Sequence, residues 1–437
     1  MLKSVREKKT ATRIKMMKET TARLTTRCPI YDTVQQLLQP EGRTSWCGRR
    51  PDKGAGQAGG TVVPLDKAGA QARVYRSALE LPVAWDKLAA REQVFLSRNY
   101  LLAWEEAPPV NVEMAYVVVE QGEEAVGVVA LQLVDFNIGA ALPRWKRLNW
   151  GLRVLVCGAA QVSGPYGFAF SEAVPAGEQA ALLEAVLQAL RAPLGASAVM
   201  VKDLNAAQFP AVTAGLQASG YVPFRFEPNM VVEVAPDWHS LDDYLEAMTS
   251  KYRVRARRAF RKGAHLGCRS LTVRDLQVHE ARLYALYTAV ADRSDFSLLR
   301  LQPGYFARLK AAFGPAFKVI GYFDGDTLVG FCTVLRSGTA SEVHFLGFDE
   351  SYNASAQLYL NMLLASIRTG IEDFGSRRIV LGRTATVIKS SVGARPHTEQ
   401  VWLRHSNCLV QALLPGLVRF LRPPMEAEVG VRHPFGE

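Results

Sequence analysis

The chain has 437 residues, of which 49% are hydrophobic and 21% charged, and its formal net charge is +11. A chain of this length exceeds one ordinary hydrophobic core, so two or more globular domains are expected. The longest apolar stretch, 409–421, is shorter than the roughly 18 to 20 uncharged residues that span a bilayer, and it contains Arg419. The composition therefore excludes a helical membrane-spanning protein.

The positive charge is concentrated at the N-terminus. Residues 1–76 contain 16 Lys and Arg against 6 Asp and Glu, which leaves the rest of the chain nearly neutral. This segment is rich in Gly and charge and poor in apolar residues, which predicts a disordered basic extension. It lacks the apolar core of a secretory signal, so we expect a cytoplasmic protein. The six scattered cysteines form no CxxC pair and predict neither a metal site nor a disulfide framework.

From residue 74 onward, strand-like and helix-like patterns alternate. Two strands joined by a turn at Gly122 are followed by further strand, helix, strand and helix patterns. After a long helical pattern the same order returns with a second hairpin. The predicted elements of the first series are 74–78, 83–89, 97–107, 114–134, 152–158, 177–194, 196–204 and 206–220, and those of the second are 241–265, 317–337, 341–349, 355–375 and 377–382. Alternation of this kind predicts an α/β layered fold.

The two series resemble each other. Aligning Gly127 with Gly330 pairs the two hairpins without gaps and matches Gly122 to Gly325. We therefore predict two related domains in tandem, at 77–236 and 237–437. Two unrelated α/β domains remain the alternative.

A basic loop, 382–396, lies between two predicted strands. It contains Arg383, Lys389 and Arg395 and no acidic residue. Arginine fits the planar geometry of phosphate or carboxylate, and lysine acts as a point charge. The loop is therefore a candidate anion site, with a solvated surface loop as the alternative.

The C-terminal half resembles a known enzyme family. The segments DGDTLVGFCTV, HFLGFDESYN, QLYLNMLLASIRTGIEDFG, RRIVLGR, KSSVGARP and VWLRH together resemble the Fem-like, tandem-GNAT subgroup of the GNAT acyltransferase superfamily. The resemblance covers about 240–405, and 77–236 by architecture only. It implies two mixed-sheet domains and transfer of an acyl or aminoacyl group from acyl-CoA or aminoacyl-tRNA to an amine, which is a small molecule or a lipid-linked cell-envelope precursor. The Gly-rich pyrophosphate loop usual in GNAT proteins is absent near 349–360.

Acylation of an amine needs a base and an acid. Glu342 and His344 lie on one predicted strand, two residues apart, and so share a face. We predict that they supply the base and that Tyr359, on the following helix, is the acid. The alternative is a core histidine and a solvated glutamate.

Candidate donor-binding residues occur in two segments. Arg383 and Lys389 are predicted to bind the donor's phosphate, and Gly393 to allow an unusual backbone angle beside it. In the helical pattern 241–265 seven cations lie within twelve residues, and Arg255 and Arg258 flank a packing seam of Leu245, Met248, Ala256 and Ala259. A cluster of this kind predicts a polyanionic partner, such as tRNA, CoA or a lipid phosphate. The alternative function is a non-catalytic module that binds RNA or a membrane surface through this helix, without stable membrane insertion.

The turn 163–167 in the first series, SGPYG, is a weaker candidate. It follows a predicted strand and could line a substrate groove, although Gly-Pro-Tyr-Gly is also ordinary turn chemistry.

Overall fold

The computed structural model describes residues 60–67, 69–89, 93–137, 151–225, 227–293, 299–420 and 430–436. Within them the chain forms two mixed β-sheets with helices between and outside them. The predicted α/β class with two mixed-sheet domains is confirmed. Residues 1–59, most of the predicted extension, lie outside the described residues.

The first sheet contains nine of the described strands in the order β1-β2-β3-β4-β5-β7-β16-β8, with β6 paired to β4. Its hairpin, β3 and β4, turns at Gly122, whose φ of +61° suits glycine. The strands are β1 Thr61–Pro64, β2 Ala70–Tyr75, β3 Val112–Gln121, β4 Glu124–Asn137, β5 Gly151–Cys157, β6 Phe168–Phe170, β7 Ala198–Leu204, β8 Val222–Arg225 and β16 Gln400–His405.

The second sheet contains seven of the described strands in the order β10-β11-β12-β13-β14-β9-β15. Its hairpin, β11 and β12, turns at Gly325 with a φ of +56°, as the alignment with Gly122 predicts. The strands are β9 Asn229–Glu233, β10 Gly267–Ser270, β11 Phe317–Asp324, β12 Thr327–Ser337, β13 Ala340–Phe348, β14 Arg378–Gly382 and β15 Arg395–His397.

Helices pack between the sheets and on their outer faces. One apolar cluster fills the space between the sheets and includes residues of both, such as Val154 and Phe331. Three others cover the outer faces. The helices are α1 Val83–Leu88, α2 Arg98–Glu105, α3 Ala176–Arg191, α4 Pro210–Ala218, α5 Leu241–Ala247, α6 Ser250–Gly263, α7 Val273–Val278, α8 Glu280–Ala291, α9 Tyr305–Phe313, α10 Glu350–Ala356, α11 Leu358–Arg368, α12 Thr386–Ser390 and α13 Cys408–Phe420.

The two sheets exchange strands. β9 precedes residue 237 but lies between β14 and β15 in the second sheet, whereas β16 returns to lie between β7 and β8 in the first. In each sheet the exchanged strand pairs antiparallel with one member of a parallel pair. β9 pairs with β14, which is parallel to β13, and β16 pairs with β7, which is parallel to β5. Each sheet is thus completed by a strand from the other half of the chain.

Two of the predicted segments differ from the structure. Residues 61–75 belong to the first sheet, where β2 pairs with β3 and buries Ala72 and Val74, so the predicted end of the extension at residue 76 is wrong. The predicted helix 241–265 is two helices, α5 and α6, because Met248 is extended and the Thr249 N–H donates to the Pro434 carbonyl instead of to a helical partner. The predicted seam residues nevertheless pack together in the outer cluster.

Candidate active site between the two sheets

The site begins where β13 and β14 separate. These parallel strands pair at Ala340–Glu342 and Arg378–Val380, and no pairing follows. Beyond Glu342 the edge of β13 therefore has main-chain groups without a partner strand. An extended amide-containing chain can satisfy such groups by strand-like hydrogen bonds.

A β-bulge reorients β13 at this point. The register with β12 shifts between Cys332 and Val334, and Thr333 Oγ1 exchanges hydrogen bonds of 2.9 Å with the backbone of Phe345. His344 and Phe345 consequently both turn toward the space between the sheets, where each ring packs against Tyr305. Bulges commonly redirect side chains in this way beside functional sites.

Glu342 is nearly buried, with 6% of its surface exposed. Tyr166 Oη, from the first half of the chain, donates a hydrogen bond of 2.5 Å to its Oε1. Burial raises the pKa of Glu342 to about 7, the Tyr166 hydrogen bond opposes this shift, and the charge of Glu399 adds to it. Glu342 therefore exchanges a proton near neutral pH, which suits a general acid or base.

The turn that carries Tyr166 is fixed on several sides. Gly164 has a φ of +131°, and a Cβ there would collide with the Tyr166 ring. The Gly164 N–H donates to Asp203 Oδ2 at 3.1 Å, and the Tyr166 ring packs against Phe95 with centroids 4.6 Å apart. The Gly-rich turn noted as a weak candidate thus places a phenol against the carboxylate.

His344, two residues after Glu342 on β13, belongs to a separate buried chain of hydrogen bonds. Its Nε2 is 2.5 Å from Tyr305 Oη, which is 3.1 Å from Tyr100 Oη, to which Gln161 donates. Burial lowers the pKa of His344 to about 3, so the ring is neutral at physiological pH. Its Nδ1 is buried and makes no hydrogen bond within the described part of the chain. His344 is suited to orienting neighbours rather than to accepting a proton at neutral pH.

Arg383 is committed to an internal ion cluster. Its Nη2 lies 2.5 Å from Asp203 Oδ1 and 3.1 Å from Glu399 Oε2, and Lys202 Nζ contacts the other oxygen of Asp203 at 2.5 Å. Burial raises the pKa of Asp203, but Arg383 and Lys202 outweigh it and hold this pKa below its ordinary value. The prediction that Arg383 binds donor phosphate is not supported, because two carboxylates from other segments already neutralise it.

Lys389 and Gly393 also serve the protein itself. Lys389 is buried, and its Nζ donates to the carbonyls of Gly382 and Arg383 at 3.1 and 2.6 Å. Burial lowers the pKa of this amine to about 7. Gly393 has the unusual backbone angle predicted for it, with φ of +87°, but the Phe435 ring occupies the space beside it. Neither residue is directed toward an external anion.

Tyr359 is apart from Glu342 and His344. It lies on α11, packs against Phe348 and belongs to the clusters on the outer face of the second sheet. Because the bulge places His344 on the opposite face from Phe348, the sheet separates Tyr359 from the predicted base. Alternate residues of β13 share a face as far as His344. Beyond His344 the bulge reverses which residues face the space between the sheets.

Arg255 and Arg258 lie on the exposed face of α6. Together with Arg257 and Arg261 they form a cationic face, and none of the four makes an ion pair with a described residue. Ala256 and Ala259 attach the opposite face to α11. This surface is exposed and could bind a polyanion, and no described contact joins it to Glu342.

Sequence reasoning missed Tyr305, Asp203 and Glu399. Asp203 lies near the end of β7 and pairs with Arg383, which is 180 residues later in the sequence, so no local pattern identifies the pair. A single ordinary tyrosine such as Tyr305 gives no signal either. Among the described residues no group of three or more His, Cys, Asp or Glu side chains is arranged to hold a metal ion.

Comparison with known proteins identifies the class. Residues 250–390 match the family model described as "Acetyltransferase (GNAT) domain". The resemblance to the GNAT acyltransferase superfamily is thereby confirmed, and the chain contains a GNAT domain in its second half. No curated protein matches the chain.

Several solved structures are similar in fold. FemX is 12% identical with a TM-score of 0.46, over 72% of this chain and 93% of FemX. A tandem GNAT protein from the clavulanic acid biosynthesis pathway is 12% identical with a TM-score of 0.45, over 77% of this chain and 99% of that one. The C-terminal domain of a putative lysylphosphatidylglycerol synthetase from Agrobacterium fabrum is 13% identical with a TM-score of 0.46, over 77% and 95%.

Proposed function

We propose that the protein is an N-acyltransferase in which Glu342 removes the proton from an amine acceptor. The observation that carries this proposal is the nearly buried carboxylate of Glu342, beside the separation of β13 and β14 within the matched GNAT domain. Its pKa of about 7 lets it bind and release a proton at physiological pH. Buried carboxylates with such pKa values are typical of general bases.

The reaction requires no covalent enzyme intermediate. The acceptor arrives as an ammonium ion, ionised Glu342 takes one of its protons, and the nitrogen lone pair attacks the acyl carbonyl carbon. As the tetrahedral intermediate collapses, a C–N bond replaces the C–S bond of a thioester or the C–O bond of an aminoacyl ester. Glu342 returns its proton to the leaving thiolate or alkoxide. The nitrogen, which carries a positive charge after attack, releases its second proton to solvent, so charge and atoms balance.

Tyr166 positions the base. Its hydroxyl occupies Oε1, whereas the other oxygen of Glu342 accepts no hydrogen bond from the described residues and is left for the acceptor. The hydrogen bond also stabilises the ionised carboxylate, so that the pKa does not rise further. The active site is therefore composite, with its base from the second half and its positioning phenol from the first.

The donor is acyl-CoA or aminoacyl-tRNA. The unpaired edge of β13 beyond Glu342 suits an extended donor arm that contains amides, and the exposed cations of α6, including Arg255 and Arg258, suit its phosphates. The acceptor is an amine on a small molecule or on a lipid-linked precursor, as the sequence resemblance implies. Arg383 and Lys389 are left out of donor binding, because internal partners occupy both.

Glu342→Gln tests the proposal. The protein is assayed with acetyl-CoA, longer acyl-CoAs and aminoacyl-tRNA against a panel of primary amines. Loss of a general base is expected to lower kcat by about 10²- to 10⁴-fold with little change in donor affinity. Glu246→Gln, an exposed glutamate of α5, provides the same charge change as a control. Full turnover by Glu342→Gln would overturn the assignment of the base.

The pH dependence of kcat/KM distinguishes a catalytic base from a residue of purely structural importance. In the parent protein kcat/KM should rise with pH to a plateau above about pH 7, because Glu342 must be ionised to accept the proton. Tyr166→Phe should move this rise to higher pH, since the hydrogen bond that favours the ionised carboxylate is lost. A residue of purely structural importance would lower the plateau without moving the rise.

The exposed, unpaired arginines of α6 favour a second candidate function, that of a non-catalytic module binding RNA or another polyanion. Such a protein would show no turnover with any donor, and its binding would weaken steeply with salt. Charge reversal at Arg255 and Arg258 would abolish that binding. Turnover that depends on Glu342 would exclude this function as the only one.

A further inference from the structure

The helix α13 exposes an apolar surface that no described residue covers. Leu409 and Leu413 are 73% and 71% exposed, and Val410 and Leu417 are 40% and 48% exposed. On a helical wheel these four residues lie within about 100° of one another. We call them the outer face of α13.

The helix is attached to the first sheet by its opposite side. Leu414 is buried, and Gln411 is fixed by two hydrogen bonds, donating to the Gly220 carbonyl at 2.8 Å and accepting from the His405 N–H at 2.7 Å. Gln411 is the single polar side chain in the run 409–418. Because it is turned inward, the outward surface of this run consists of apolar side chains, Pro415 and Gly416.

Exposure on this scale costs free energy in water. A fully exposed leucine forgoes the stabilisation of burial, and several adjacent ones form the kind of patch that marks an interaction site. The patch is aliphatic, without the aromatic side chains that are enriched in protein–protein interfaces.

The charges around the patch indicate which partner covers it. α13 and the two strands on which it packs, β8 and β16, contain no acidic residue. Arg419 at the end of the helix and Arg225 at the end of β8 are exposed, and neither forms an ion pair with a described residue. Arg404 is the exception, because it is paired with Glu184. An aliphatic surface bordered by unpaired cations is complementary to a lipid bilayer with anionic headgroups.

We propose that the outer face of α13 attaches the protein to an anionic membrane surface. The helix has 13 residues and is about 20 Å long, shorter than the roughly 30 Å of a bilayer's hydrocarbon core, so it lies along the surface instead of crossing it. No helix in the described part of the chain is long and apolar enough to span a bilayer. The attachment does not depend on the proposed chemistry.

Vesicle co-sedimentation of the full chain tests the proposal. The probes are phosphatidylcholine vesicles with and without about 30 mol% phosphatidylglycerol. The full chain should pellet with the anionic vesicles, and Leu409→Ser with Leu413→Ser should lower its partition coefficient at least tenfold, because two inserted leucines are lost. The control carries Val110→Ser and Val278→Ser. These two valines are 92% and 71% exposed and do not belong to α13. It should bind within twofold of the parent protein.

A second readout is independent of that double variant. In Leu417→Trp the new indole should show a blue-shifted emission with anionic vesicles if α13 enters the headgroup region. Absence of vesicle binding would overturn the proposal. So would vesicle binding by Leu409→Ser with Leu413→Ser equal to that of the parent and the control, because the basic N-terminus or α6 would then be responsible. A dimer in solution that the Leu409 and Leu413 changes dissociate, without vesicle binding, would assign the patch to a second copy of the chain.

Discussion

Glu342→Gln should stabilise the protein at alkaline pH more than at acidic pH. Burial raises the pKa of Glu342 from 4.5 to about 7, so the folded state holds a proton that the unfolded state has already released between these values. Over that window the free energy of unfolding falls as pH rises, and above about pH 7 the penalty is complete. Glutamine has no such penalty, and it still accepts the hydrogen bond from Tyr166.

The size of the effect follows from the pKa shift. Each pKa unit corresponds to about 1.4 kcal/mol, so ionisation of Glu342 costs the folded state at most about 3 kcal/mol. For a chain of this size that corresponds to roughly 3–4 °C in Tm. The assay is a thermal melt of the parent protein and Glu342→Gln from pH 5 to pH 8.5, with Glu246→Gln as the control. A Tm difference that does not change with pH would refute the reasoning.

Three further changes test the structure around this base. Gly164→Ala should lower activity to the level of Tyr166→Phe in a turnover assay, because its φ of +131° and the adjacent ring exclude a Cβ. Asp203→Asn should lower the free energy of unfolding in urea by about 3–5 kcal/mol, since it leaves Arg383 buried with less compensation. Lys389→Met should abolish a rise in Tm above pH 7, because the lowered pKa of this lysine means that the folded state becomes more stable as the amine loses its proton.

Local patterns predicted much of the fold. The two hairpins follow from alternating apolar residues around Gly122 and Gly325, and both glycines have the positive φ that their turns require. The strand exchange was not predictable in this way. β9 and β16 are ordinary short apolar strands. A pattern of five or six residues does not show which of two similar sheets such a strand joins.

The site was predictable only where its determinants are close in sequence. Glu342 and His344 lie two residues apart on one strand, and both face the first half of the chain. The interpretation of Arg383 as an anion ligand could not take account of its internal partner, because Asp203 is 180 residues away in the sequence. Tyr166 illustrates the same limit. A Gly-rich turn indicates that a side chain is held at the surface of the turn, but the local sequence does not show which distant residue it contacts.

The exchange of strands yields a last prediction about how the two halves fold. A chain beginning at residue 237 would lack β9, leaving β14 and β15 without the strand between them, and its own β16 would have no sheet to join. The apolar cluster between the sheets would also lose the residues contributed by the first half.

Residues 237–437 expressed alone should therefore fail to give a cooperative thermal transition, whereas co-expression with residues 1–236 should yield a soluble complex that co-purifies and melts cooperatively. Asp203→Asn in the first fragment should weaken this complex, because the ion pair with Arg383 crosses between the halves. A monomeric, cooperatively melting 237–437 fragment would show that the second half does not need β9, and the composite site would then require another explanation for the contact between Tyr166 and Glu342.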